Sequence, residues 1–163
     1  MDELMVGLPN NERSDWLAGK LGRLDIVFFQ DGPLLRQMTI EAIRCFVRGD
    51  FMATVLLASS IVERSIAGRL LAIGDTDARD DRSMTQLLKR AVTHRWMTSE
   101  EKRRITSLCD QYRNSLAHIR TTTEPSRHEV RARESTASLT AVLEGDARTL
   151  LELTLLVLAK TAL

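Results

Sequence analysis

The sequence predicts an all-α protein, an up-and-down helical bundle of about five to seven helices, and three observations carry that expectation. Only three Pro and eight Gly interrupt 163 residues. Leu, Ala, Arg and Glu, all strong helix formers, are abundant. Apolar residues recur at i, i+3, i+4 and i+7 where the pattern is clearest. A hydrophobic fraction of 44% with 28% charged residues is that of a globular chain. One helical domain is therefore expected over residues 1–163, long enough to build a core without disulfides or metals.

The elements follow in order. Ser14 or Asp15 starts a first helix running to about Gln30, and Gly32-Pro33 opens a second to about Arg48. Asp50 is an N-cap for a long third helix that ends at Gly74. The stretch GDTDARDDR reads as a charged loop. Ser83 and Gln86 form a capping-box pattern for a short fourth helix to about Trp96. Thr98 and Glu101 form another, opening a fifth helix, and Ser126 with Glu129 a third beyond Pro125. Asp146, after Gly145, caps a C-terminal helix.

Composition excludes several function classes. With 4% aromatic residues a broad base-stacking platform is not expected, and a net charge of +1 is not that of a general polyanion binder. Cys45 and Cys109 lie among apolar neighbours and read as free thiols. Neither the three His nor the carboxylates are spaced as a metal site would need, so no metal and no cofactor is expected. The start, MDELMVGLPNNER, lacks the basic and apolar runs of a secretory signal. The most apolar stretch, residues 150–163, is too short to span a bilayer and contains Glu152 and Lys160. A cytoplasmic chain without membrane association is the expectation.

The stretch that raises a chemical question is RNSLAH, residues 113–118, on the fifth helix. Ile105, Leu108, Cys109, Tyr112, Leu116 and Ile119 form the apolar stripe of that helix. Asn114 then lies about 190° from the stripe's centre and His118 about 130° away. Asn114 and His118 are i, i+4 neighbours whose side chains can meet. Arg113 is roughly 140° from His118 on an ideal helix. One straight helix does not aim both at one point; a distortion near His118, or a second subunit, would. On placement alone, a solvated polar face accounts for these residues as well. Residues 102–133 also carry Lys102, Arg103, Arg104, Arg113, Arg120, Arg127, Arg131 and Arg133 against Asp110, Glu124 and Glu129. Phosphate-backbone binding uses such a local excess, and so does an ordinary solvated basic face.

Asp110-Gln111-Tyr112-Arg113-Asn114-Ser115-Leu116-Ala117-His118 resembles the signature of HEPN domains, in which Arg, a polar residue (often Asn), three variable residues and His close a helix. Gly49-Asp50-Phe51, the helix bearing Ile61-Val62-Glu63-Arg64 and the Glu144-Gly145-Asp146-Ala147-Arg148 stretch agree in outline, so the resemblance covers about residues 35–160. It implies a HEPN-like bundle that homodimerises, with two Arg–His motifs meeting in an interface cleft. It also implies a metal-independent endoribonuclease, a toxin or a defence or stress effector, with an antitoxin protein as a partner. Other members of the family are inactive modules that bind RNA, a nucleotide or a protein. In one branch a Tyr two residues past the His is modified by a partner; here Arg120 stands there, which sets that mode of control aside.

For RNA cleavage, His118 suits acid–base chemistry because the ordinary His pKa of about 6.5 lies near working pH. Arg113 suits phosphate stabilisation because a guanidinium stays charged and grips two oxygens. Asn114 orients His118 or the substrate. Arg103, Arg104 and Arg120 are the RNA-binding candidates, and Glu63 and Asp110 the supporting ones behind the catalytic residues. His94 reads as a helix C-terminal residue, and His128, in the first turn after Pro125, as a loop or capping residue. A helical regulatory protein outside the family stands as the third reading.

Overall fold

The computed structural model describes residues 12–22, 32–79, 83–117, 125 and 127–161. Among these residues there are seven helices and no strand, as expected of an all-α bundle. They are α1 (Glu12–Leu21), α2 (Gly32–Arg48), α3 (Phe51–Ala72), α4 (Met84–Thr93), α5 (Ser99–Leu108), α6 (His128–Glu134) and α7 (Leu139–Thr161). A 3-10 turn, Thr76–Arg79, follows α3. The α5 rod continues through a π-helical turn, Cys109–Arg113, into a last α turn, Asn114–Ala117.

Helix α3 is the axis of the bundle, packed most extensively on α7 and then on α2, with α4 beside it. Its Val55, Ala58, Ile61, Val62, Ile66 and Leu70 are fully buried in one cluster with Phe46 of α2, Leu88 of α4 and Leu150 and Leu151 of α7. Burial on several sides explains why α3 is apolar nearly all round. Among the described residues it is the one helix long and apolar enough to cross a membrane, a property it shares with core helices of bundles, and half of its apolar window is buried inside the fold. Of the most apolar stretch by sequence, residues 150–163, those to Thr161 instead belong to its partner α7.

The α3–α7 crossing is close because small residues meet there. Thr154 Oγ1 reaches the carbonyl oxygen of Ala58 at 3.2 Å, besides that of Leu150 in its own helix at 2.8 Å. Ser59 and Ser65 return their hydroxyls to carbonyls one turn back, so these buried polar groups are satisfied. Helix α1 is latched from outside. Arg13 grips Glu144 of α7 through two hydrogen bonds of 3.1 and 3.2 Å. Arg148 lies over the Trp16 and Phe46 rings at 5.3 and 5.6 Å.

Helix ends follow the sequence signals in part. Gly49 and Gly74 adopt φ of +90° and +88°. Each directs the next amide back over the last turn, Asp50 to Cys45 and Asp75 to Leu70. A side chain at such a φ would be strained, which is why glycine closes α2 and α3. Thr98 and Glu101 form a complete capping box, and Ser83 accepts from the Gln86 amide. Four expectations are corrected. Helix α1 begins at Glu12 with Ser14 buried within it, and it stops at Leu21 before Gly22; residues 23–31 lie outside the described ones. Asp50 makes no side-chain cap. Ser126 lies outside the described residues, and Arg127 precedes α6 without a side-chain cap. Asp146 does not start the last helix: Ser138 accepts from the Ala141 amide, α7 begins at Leu139, and Asp146 is buried in its middle. Gly145 is carried inside the helix because packing offsets its cost of about 1 kcal/mol.

Thr136 closes α6 with φ of +55°, a region a β-branched residue rarely enters. Thr136→Gly should raise unfolding stability by about 1 kcal/mol in urea titration. Ala58→Leu, which forces three carbons into the α3–α7 crossing, should lower it by about 1–3 kcal/mol.

Candidate functional site

Arg113 sits at the end of the π-helical turn and Asn114 opens the α turn after it. A π turn carries one residue more than an α turn and so changes the facing of everything beyond it. A distortion thus falls ahead of Asn114, and His118 lies outside the described residues. Tyr112 and Leu116 still pack against the core, while Arg113 and Asn114 are half-buried at its edge.

Three of the expected residues are linked. Asn114 Nδ2 donates to Asp110 Oδ1 at 2.7 Å, and Arg113 Nη1 donates to Asn114 Oδ1 at 3.4 Å. Both ends of the Asn114 amide are thereby engaged, and Asn114 ties Arg113 to Asp110. The charge of Glu63 on α3 adds a small upward push to the Cys109 thiol, after burial and Asp110. Arg103 and Arg104 are exposed on α5. Arg103 lies roughly 15 Å before Arg113 along the axis at the helical rise. Arg104 borders a shallow apolar groove with Ile105, Leu153 and Leu156, away from the linked trio in sequence. His118 and Arg120 lie outside the described residues.

The basic excess around the motif is smaller than the sequence count suggests. Asp146, from outside residues 102–133, binds Arg131 through both carboxylate oxygens, while the Arg127–Glu129 pair at 3.2 Å joins two charges already in that count. Cys109 is buried and Cys45 half-buried, and both are free thiols. Among the described residues no three His, Cys, Asp or Glu are gathered as a metal ion would need.

A second group beside the motif escaped the sequence reading. Asp146 and His128 are 5% and 3% exposed, and His128 Nε2 lies 3.0 Å from Asp146 Oδ2. So His128 is not a loop residue but part of a buried charged group. The Arg131 guanidinium sits between Asp146 and the Tyr112 ring, 5.4 Å from its centroid. Burial, reinforced by the Asp146 carboxylate, pushes the Tyr112 hydroxyl above its ordinary pKa, with Arg131 opposing. Two signals could have found this group. Asp146 falls in register with Leu143, Leu150 and Thr154 on an otherwise apolar face, where an acid needs a partner. His128 and Arg131 are i, i+3 neighbours on one short helix. His94, by contrast, caps the end of α4 as the sequence suggests, its Nε2 2.8 Å from Asp75 Oδ2.

Asp146→Ala leaves Arg131 and His128 without their carboxylate and should cost about 3–5 kcal/mol in urea titration. Burial raises the Cys109 thiol from 9.0 to about 11, with Asp110 adding and Arg113 opposing. The folded chain then keeps a proton that the unfolded chain releases, so this contribution to stability is lost as pH climbs from about 9 towards 11. Stability of the wild type should therefore fall more steeply over that range than that of Cys109→Ala. At pH 8, Cys109 should resist alkylation, with about one thiol in a thousand ionised. No protein-family model, no curated protein and no solved structure matches this chain.

Proposed function

We propose that the chain is a metal-independent endoribonuclease of HEPN type, a toxin or defence effector that cuts RNA in the cleft of a homodimer. The observation that supports it is the linked Asp110–Asn114–Arg113 chain, set at the end of a π-helical turn directly ahead of His118. π-helical turns occur disproportionately at functional sites, and this one fixes an arginine whose fork suits a phosphate.

In this reading the substrate's 2′-oxygen attacks the neighbouring phosphorus while the bond to the 5′-oxygen breaks. The 2′-hydroxyl proton passes to a base and the leaving 5′-oxygen takes one from an acid. His118 serves in this proton transfer, a second copy supplying the complementary group across the cleft. Arg113 neutralises the pentavalent phosphate, and Asn114 with Asp110 holds its guanidinium in place. Arg103 and Arg104, with Arg120, take phosphates further along the strand, a contribution that falls as salt rises. The products are a 2′,3′-cyclic phosphate and a 5′-hydroxyl. The second reading, a catalytically silent module binding RNA, a nucleotide or a protein, is favoured by the pairing of Arg131 with Asp146, which withdraws positive charge from the motif's surroundings.

Cleavage of mixed tRNA and mRNA in EDTA is the test. The wild type should cut. Arg113→Ala and His118→Ala should each lose about 100-fold or more in rate with fold and dimer mass unchanged. Asp110→Ala, which removes only support for Asn114, should lose about tenfold. A wild type that cuts nothing, or variants that cut as well as it does, would move the chain to the binding reading.

A further inference from the structure

We infer that Asp146, acting through Arg131 and Tyr112, is the positioning residue of the Arg113 site. It holds the π-helical turn against α7 and so sets the direction in which Arg113 leaves the helix. The inference rests on the proposed function where it concerns cleavage; the anchoring itself does not.

A five-residue π turn is less favourable than the α-helix it replaces and persists where tertiary contacts hold it. The contacts here are specific. Tyr112, next to Arg113 and within the turn, places its ring under the Arg131 guanidinium at 5.4 Å. Arg131 cannot drift, because both its terminal nitrogens are bound by Asp146. Asp146 cannot turn away, because it is buried in the middle of α7 with His128 3.0 Å from the same carboxylate. Asp146 of α7 thus reaches Tyr112 of the π turn through the Arg131 guanidinium, beside the burial of Cys109 in the core.

Release of that grip would let the turn relax to α geometry. Arg113 would then swing by one residue's worth, about 100°, relative to the core-facing stripe of α5. The Asn114–Asp110 bond cannot prevent this, because all three residues lie on the rod that would rewind. The cluster is thus placed to decide whether Arg113 faces a phosphate, without touching the substrate.

Hydrogen exchange of backbone amides 109–114 reads the anchoring directly, in Asp146→Asn, Tyr112→Leu and Tyr112→Phe. Tyr112→Leu should speed exchange there by about tenfold while α3 keeps its protection, Asp146→Asn should speed it about tenfold beyond whatever its loss of global stability does to α3, and Tyr112→Phe, which keeps the ring, should stay near the wild type. In the cleavage assay the first two should lower kcat with KM held, since binding arginines elsewhere are untouched. Unchanged exchange at 109–114 in Tyr112→Leu, or equal loosening of α3, overturns the inference. If Asp146→Asn does not fold, the two Tyr112 variants decide. A wild type that exchanges as expected but cuts no RNA refutes the proposed function and leaves the anchoring standing.

Discussion

A carboxylate cannot be buried in a helical bundle without a partner, because moving an unpaired charge out of water costs far more than any one apolar contact returns. Asp146 is such a carboxylate, and its position organises one end of this molecule. Its need for a cation draws α6 onto α7 through Arg131, with His128 packed beside the same carboxylate, although α6 is only seven residues long and has few apolar residues to bury. Arg131, once fixed, offers its face to Tyr112, and Tyr112 belongs to the turn that presents Arg113. The chain of dependence runs from a buried acid to the aim of a surface arginine.

The rest of the bundle supplies the frame that makes this possible. Helix α3 is gripped along its length by α2 and α7, and the Ala58–Thr154 approach brings α3 and α7 close enough for a side chain to reach the other backbone. Such a crossing fixes where α7 lies, and thus where Asp146 sits relative to α5. The latch of Arg13 and Arg148 around Glu144 lies within one turn of Asp146 on the same helix. The middle of α7 is therefore constrained from two sides, by α1 and by α6, which suits a segment that must hold a third element in an unfavourable winding.

Much of this was legible in the sequence, for physical reasons. The all-α architecture follows from helix formers with few breakers, and the Thr98–Glu101 and Ser83–Gln86 caps are local interactions whose partners are three residues apart. Glycines at positive φ end α2 and α3 where the sequence says they should. What was not legible depends on partners distant in sequence. Asp146 looks like a helix cap after Gly145 because a cap and a buried acid share the same residue type, and only packing against α6 separates them. The π turn has no sequence signature of its own, since 3.6-residue periodicity across Ile105, Cys109 and Tyr112 reads as a continuous α-helix. In the candidate site, the proximity of Asn114 to Asp110 was implied by their spacing, whereas the bond from Arg113 to Asn114 depends on how the turn orients two adjacent side chains. His118 and Arg120 stay where the sequence left them, as expectations.

The proposed chemistry at RNSLAH is attack of an RNA 2′-hydroxyl on its own phosphate. The most direct measurement takes an RNA oligonucleotide cut at one junction by the purified protein in EDTA, and repeats the assay with a single 2′-deoxy sugar on the 5′ side of that junction. With that chemistry, cutting at the substituted junction disappears while the unmodified strand yields a 2′,3′-cyclic phosphate. Undiminished cutting at the deoxy junction would contradict it.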